Sequence, residues 1–568
     1  MTADDSLTVV TSFAQQSLWL QHQVDPDRAA YNITAAVRLR GPLDGAALER
    51  ALNAVVARHE VLRTVFALDG EDPVQVIGPE RELRVPVLDA GPDDFRSYAD
   101  KVLFAPFDLR GGPLLRLELL RLGPEHHIAL LALHHIVTDG ASSAILLQEL
   151  SHAYAAELAG VEPLWDELPI QYADFAVWQR DALSGAALDE LTGHWTRTLA
   201  GAEPLALPAD RERPADDSGQ AAVHHFTLPA ALTARLEELA RAERATLFMV
   251  LLAGLDALLA RYCGQEDITV VSPMAGRGRP ELEGLIGYFV NPLLLRTQVS
   301  GTAGFAALVG GTRDTCLDAF DHEELPFEQA VEVLRGHGCP GAEGLRSQVM
   351  LVLQNTRPSH WHSAGIDFEL IPADTSTAKS DLVLEVRPDA DGGCTAALEY
   401  RTGLYDAATA DRVARHFAAV LEAACERPDE PLSQLLATVV PDGEIPAVRG
   451  GAARGEAPAA AEYVAPRTPL EEEVAGIWSA LLGTERVGVH DNFFDLGGQS
   501  LLAVRLAARL RDEFGVEMTV RDLYADFTLE AVTWAVLQRM TADEEQAPAG
   551  EPVFSTPPSG PTDFGETC

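Results

Sequence analysis

The segment His134-His135-Ile136-Val137-Thr138-Asp139-Gly140 places two imidazoles, a carboxylate and a glycine in one short stretch. An imidazole exchanges protons near neutral pH, so it suits a base that relieves an attacking amine of its proton. A carboxylate four residues beyond His135 can hold the loop by pairing with an arginine in a buried setting. Backbone N–H groups at Gly140 and the helix start after it can stabilise a developing oxyanion. Together these are the parts that acyl transfer needs. On spacing alone a packing role for both histidines stays open. A second pair, His126-His127, follows a Gly-Pro-Glu turn and has no acid or glycine after it, so it reads as solvated turn histidines.

The elements around the motif follow from pattern. Leu117–Leu122, the turn and Ile128–Leu133 read as a β-hairpin, which puts His134-His135 where a strand leaves the core. A helix over Ser142–Leu158 follows. Upstream, Tyr31, Ile33, Ala35, Val37 and Leu39 alternate as in a half-buried strand. Asp44 can cap a helix that carries Leu48, Leu52, Val55 and Val56 on one face. The uncharged run Thr246–Leu255 is too short to span a bilayer and reads as a buried core helix.

The chain of 568 residues is too long for one core. Apolar content of 47% with 23% charged residues is that of a globular protein. A formal charge of −43 repels phosphate backbones and anionic lipid, which argues against nucleic acid or a membrane surface as partner. Six scattered cysteines, none in a CxxC, suit a reducing cytoplasm and give neither a metal site nor a disulfide frame. No Walker loop or GxSxG is present.

Two stretches punctuate the chain. Pro441–Glu462 is rich in Ala, Gly and Pro and reads as a flexible linker. Thr541–Cys568 has six acidic and no basic residues and reads as a disordered tail, a candidate docking peptide. The expected domains are therefore 1–440, with halves of about 1–180 and 181–440 near the polar loop Leu207–Gln220, then a linker 441–462, a small domain 463–540 and a tail 541–568. In the small domain, Thr468-Pro469-Leu470-Glu471 predicts a capped helix with Leu470, Val474, Ile477 or Trp478 and Leu481 on one face, ended by Gly483. A second helix starts after Gly497-Gly498-Gln499-Ser500, and a third runs from about Leu529 to Met540.

The large block resembles a condensation domain of non-ribosomal peptide synthetases, whose active-site motif HHxxxDG is matched by His134 to Gly140. Further family motifs appear in order: Ser12–Trp19 for SxAQxRLW, with Ser17 in place of its arginine, and Arg58–Phe66 for RHExLRTxF. Tyr172–Trp178 resembles YxDYAVW with Phe175 for its second tyrosine, and Ile286–Asn291 resembles IGxFVNT until Pro292. Glu324–Glu328 and Arg346–Val349 resemble the last two. Asp491–Leu501 resembles the DNFFxLGGxSL motif of a peptidyl carrier protein.

The resemblance implies an α/β fold of two chloramphenicol-acetyltransferase-like lobes in a V with a tunnel between them, plus a small four-helix-bundle carrier domain. It implies amide formation between a carrier-bound donor acyl or peptidyl thioester and an acceptor amine, carried on 4′-phosphopantetheine attached to Ser500. His135 is the expected base or positioning group and His134 a packing or orienting residue. Gly140 offers backbone donors. Asp139 is expected to pair with Arg63 first, or Arg346 second. An upstream donor carrier, an adenylating enzyme and a phosphopantetheinyl transferase are the expected partners in trans. Ester formation at a hydroxyl, epimerisation and a non-catalytic module that recruits partner enzymes are the rival readings. The full RHExLRTxF match speaks against the second, and intact His135 and Asp139 against the third.

Overall fold

The computed structural model describes residues 6–26, 29–91, 95–214, 219–327, 329–331, 348–354, 360–371, 378, 380–445, 463–484, 486–493, 496, 500–516, 518 and 527–546. The contacts divide the chain into two units, Met1–Ala460 and Ala461–Cys568. Residues 446–462 of the expected linker 441–462, residues 547–568 of the expected tail 541–568, Arg346 and Gly497–Gln499 lie outside the described residues. Asp442–Glu444 forms a 3₁₀ turn, and the last helix runs on to Gln546, past the boundary expected at 540.

Among the described residues, the first unit is built on two six-stranded sheets and one three-stranded sheet. In the N-terminal lobe His126–His134 pairs antiparallel with both Asn32–Arg40 and Leu115–Gly123, so it is an inner strand. Its near-continuous apolar run follows from burial on both faces. The helices Gly45–Arg58 and Gly140–Ala159 pack together on this lobe. Asp44 caps the first of them by accepting from the N–H groups of Ala46 and Ala47, and Leu48, Leu52, Val55 and Val56 are buried, as the spacing predicts.

The C-terminal lobe centres on the sheet containing Asp267–Met274, Val349–Leu353 and Leu382–Pro388, with parallel pairing on both sides of Val349–Leu353. The helix Leu247–Cys263 is buried nearly all round, which explains its apolar run. The lobes do not divide at a single cut near residue 180. The hairpin His360–Ser363 and Ile366–Ile371 leaves the C-terminal half and joins the N-terminal sheet, its second strand pairing with Asn32–Arg40. Trp361 stacks on Phe368 and donates its indole N–H to Ser151 at 3.2 Å, which fastens the crossing hairpin to the first lobe. No local pattern in residues 360–371 specifies which sheet they join, because that choice is made by partners over 300 residues away.

In the second unit three helices are described: Pro469–Leu482, Ser500–Phe514 and Leu529–Gln546. The first carries the expected capping box between Thr468 and Glu471, buries Val474 and Trp478, and ends at Gly483 in the left-handed region. Arg467 holds the Glu471 carboxyl below its usual range. No single helix among the described residues is long and apolar enough to cross a membrane.

Candidate active site

His134 is the last residue of its strand, His135–Val137 forms a single 3₁₀ turn, and Asp139 caps the helix that opens at Gly140. This tight exit gives the two histidines different fates. His134 is 3% exposed, its Nδ1 accepts from the Ile136 N–H at 3.1 Å, and its ring meets His22 and Phe107 edge-on. His135 is half-buried, and its ring lies 4.6 Å from that of Tyr288. Its Nδ1 is 2.8 Å from the Thr138 carbonyl oxygen. A carbonyl oxygen only accepts, so Nδ1 must carry the hydrogen. The basic lone pair of the neutral ring is therefore on Nε2.

Asp139 is completely buried. Its carboxylate accepts from the Ser142 N–H at 2.7 Å and the Phe289 N–H at 3.0 Å, and Arg277 approaches at 3.4 Å. These contacts compensate the cost of burying the charge and tie the loop to the segment 277–289. The partner is thus Arg277, and the expected pairing with Arg63 is corrected. Arg63 instead meets Glu60 at 3.3 Å and donates to the Gly78 carbonyl, because the pairing of Thr64–Asp69 with Asp72–Ile77 sets Gly78 directly across from it. Arg346 lies outside the described residues.

Ser142 adds a second tie. Its hydroxyl donates to the Gly287 carbonyl at 2.8 Å and accepts from the Gly287 N–H at 3.0 Å and from Arg277 at 2.7 Å. Arg277 also lies over the Phe289 ring at 4.2 Å. Gly287 is required for space, since a Cβ there would come 2.0 Å from Cδ2 of Tyr172. Tyr172 in turn donates to the Tyr288 carbonyl at 2.7 Å and shares a hydrogen bond of 2.9 Å with Ser12. Burial pushes the Tyr172 phenol well above its ordinary range, which keeps it a neutral donor. Gln15 donates to the Ile136 carbonyl at 3.2 Å. Arg58 and His59 both grip Glu149, in the middle of the helix that Asp139 caps.

Four of the sequence motifs, Ser12–Trp19, Arg58–Phe66, Tyr172–Trp178 and Ile286–Asn291, therefore converge on this loop and the segments that hold it. Arg277, Ser142 and Gln15 are supports that the sequence reading missed. Ser142 is the third residue past Asp139 and so a foreseeable cap partner, whereas Arg277 sits in a Gly- and Arg-rich stretch with no distinguishing local pattern. The C-terminal lobe also sends Gln354 to the site. Its Nε2 lies 3.8 Å from where a Cβ on Gly140 would stand.

His126 and His127 are not turn residues. They begin the strand, opposite Arg40 and Leu39, and His127 is 5% exposed. Desolvation, then the nearby charges of Arg121 and His126, lower the His127 pKa. Among the described residues, one further group gathers metal-ligating atoms: His194, Asp318 and His322. Its two imidazoles are stacked at 3.4 Å and 5°, so their in-plane lone pairs run parallel and do not converge on one ion.

In the second unit, Ser500 is the first residue of its helix, where backbone N–H groups favour a phosphate. The loop before it is anchored by Asp491, which accepts from the Gly488 N–H at 2.7 Å. Phe493 is buried against Trp478 and Phe527.

Both units are similar to known proteins. The family described as "Condensation domain" matches residues 6–444, and that described as "Phosphopantetheine attachment site" matches residues 472–533. A linear gramicidin synthase of Brevibacillus parabrevis is 42% identical over 442 residues, covering 75% of this chain and 6% of the relative. Phosphinothricin tripeptide synthetase PhsC of Streptomyces viridochromogenes is 39% identical, covering 76% of this chain and 40% of the relative. The chain thus spans less than half the length of these relatives. Among solved structures, the X-domain in complex with OxyB from teicoplanin biosynthesis superposes with a TM-score of 0.68 at 30% identity, over 75% of this chain and 95% of that one. The two-lobed α/β unit and the helical unit after it belong together in this light: the chain is a member of the condensation-domain family of non-ribosomal peptide synthetases, followed by a carrier domain for covalently attached 4′-phosphopantetheine.

Proposed function

We propose that residues 1–440 condense a donor acyl or peptidyl thioester with an acceptor amine, and that residues 463–540, joined by the 441–462 linker, carry the acceptor on Ser500. The observation that carries the reading is the state of His135: half-buried, with Nδ1 committed to Thr138 and Nε2 left as the basic nitrogen. The pantetheine arm supplies the thiol to which the acceptor is esterified. The acceptor amine attacks the donor carbonyl, a C–N bond forms, the C–S bond breaks, and the donor's thiol leaves with the proton. An α-ammonium has a pKa near 8, about one unit above neutral pH, so deprotonation costs little. His135 Nε2 orients the amine and takes its proton as the bond forms. Asp139, buried and paired with Arg277, keeps the loop's shape.

The partners under this reading are a donor carrier protein, an adenylating enzyme and a phosphopantetheinyl transferase, each acting in trans, in a reducing cytoplasm that suits the free thiols of Cys263, Cys316, Cys394 and Cys425. Intact-protein mass spectrometry after phosphopantetheinylation tests the carrier assignment. The wild-type chain gains one arm, and Ser500→Ala gains none. Loading that arm with an aminoacyl group and then incubating with a loaded donor carrier gives an amide-linked product on the wild-type chain.

A second reading has one observation in its favour, the likeness to an X-domain solved in complex with OxyB. In that case this chain recruits an enzyme instead of joining acyl groups. Binding of a partner enzyme by a wild-type chain that forms no amide product would decide for it.

A further inference from the structure

A cavity of 380 Å³ opens beside Tyr288, the residue whose ring packs on His135. The transfer step described above does not use it. Phe175, Trp178 and Tyr288 form an aromatic wall, and Arg279, Glu323 and Glu324 are its charged lining. Asn291 fixes the turn that carries the two glutamates. Its amide donates to the carbonyls of Glu323 at 2.7 Å and Leu325 at 2.8 Å, and its oxygen accepts from the Phe327 N–H at 3.0 Å. The Glu323 backbone is thereby held in place while a carboxylate oxygen comes 3.7 Å from where a side chain on Gly278 would begin.

Among the described residues, neither carboxylate has a hydrogen-bond or ion-pair partner. Arg279 lines the same cavity without pairing with them, and its guanidinium lies over the Trp178 ring at 4.4 Å. Burial, and then Glu324, raise the Glu323 carboxyl above its ordinary value. Such a group gains most from a cation brought close to it.

We propose that this cavity is a specificity subsite for a side chain ending in a cation, an ammonium or guanidinium, on an acyl group being joined. Three observations point the same way. The lining carries one net negative charge, which a single cation neutralises. The aromatic wall already holds the chain's own guanidinium over Trp178, so its faces suit a positive group. The shared Tyr288 ring places the cavity one aromatic ring away from His135, within reach of a side chain whose backbone reacts there.

The inference rests on the condensation reading, and competition between matched substrates separates the two. Full-length protein with its pantetheine arm is supplied with ornithyl or norvalyl groups, first as acceptor and then as donor, and initial rates are compared. An ornithyl preference of about tenfold in one position is expected from a partly desolvated ion pair. Glu323→Gln should lower that ratio about tenfold, Glu324→Gln should lower it less, and Glu281→Gln, outside the cavity, should leave it unchanged. Equal rates for both groups in both positions overturn the subsite, as does a ratio that neither Glu323→Gln nor Glu324→Gln moves. Absence of product from every group overturns the condensation reading, and the subsite with it.

Discussion

The strand His126–His134 begins and ends with a histidine pair, and the two ends behave differently. At its start, His127 is buried with no partner for Nδ1 among the described residues, and its pKa is lowered by desolvation. At its end, His134 is buried and bonded, while His135 turns out of the strand, bonds Thr138 and meets Tyr288. Residue type is the same at both ends. The difference comes from the neighbouring structure: a hairpin partner on one side, and on the other a 3₁₀ turn locked by a buried, arginine-paired carboxylate.

The contrast can be broken most directly at His135. His135→Ala should lower the condensation rate roughly 10²- to 10⁴-fold, the range for a positioned acid–base group. His126→Ala should leave it unchanged. A single-turnover assay with donor and acceptor both loaded checks this, and equal losses in the two variants would erase the distinction between the ends.

The next test removes the lock. Arg277→Ala leaves Asp139 buried without its cation and should cost about 3–5 kcal/mol in urea unfolding of the first unit, with loss of activity. Arg63→Ala should cost about 1 kcal/mol, as for one hydrogen bond and a partly exposed ion pair. Reversal of that order would restore the pairing expected from sequence.

Gly287→Ala is a finer probe, because it drives a methyl group into Tyr172 without touching a charge. Overpacking should cost about 1–3 kcal/mol by thermal unfolding and lower the rate by displacing the loop that Ser142 and Phe289 hold.

The smallest effect belongs to the strand's other end. His127 has a folded pKa below its ordinary value of 6.5, so the unfolded chain binds a proton that the folded chain resists. Its contribution to stability is complete above that value and falls as pH drops below it. His127→Leu should flatten the decline of unfolding midpoint below pH 6.5 without altering it above.

Much of this arrangement is legible locally. The capping residues Asp44 and Thr468, the helix stop at Gly483 and the buried faces around Leu48 and Val474 follow from short-range rules, and the structure keeps each of them. The turn assignment of His126-His127 fails because a hairpin's end is set by cross-strand pairing with Arg40 and Leu39, which a single strand does not display. Arg63 is the nearest motif arginine in sequence. Arg277 is the actual partner because the segment 277–289 folds over the helix start.

By itself the sequence determined which residue types stand together in motifs, where the helices after Asp44 and Thr468 begin and where the second of them stops at Gly483, since capping, periodicity and motif spacing act over a few residues. The tertiary structure alone decided three things: which nitrogen of His135 is basic, which arginine neutralises Asp139, and which sheet the hairpin 360–371 completes. Each depends on a hydrogen bond or burial supplied from a neighbouring turn or a distant segment, and such partners exist only once the chain has packed.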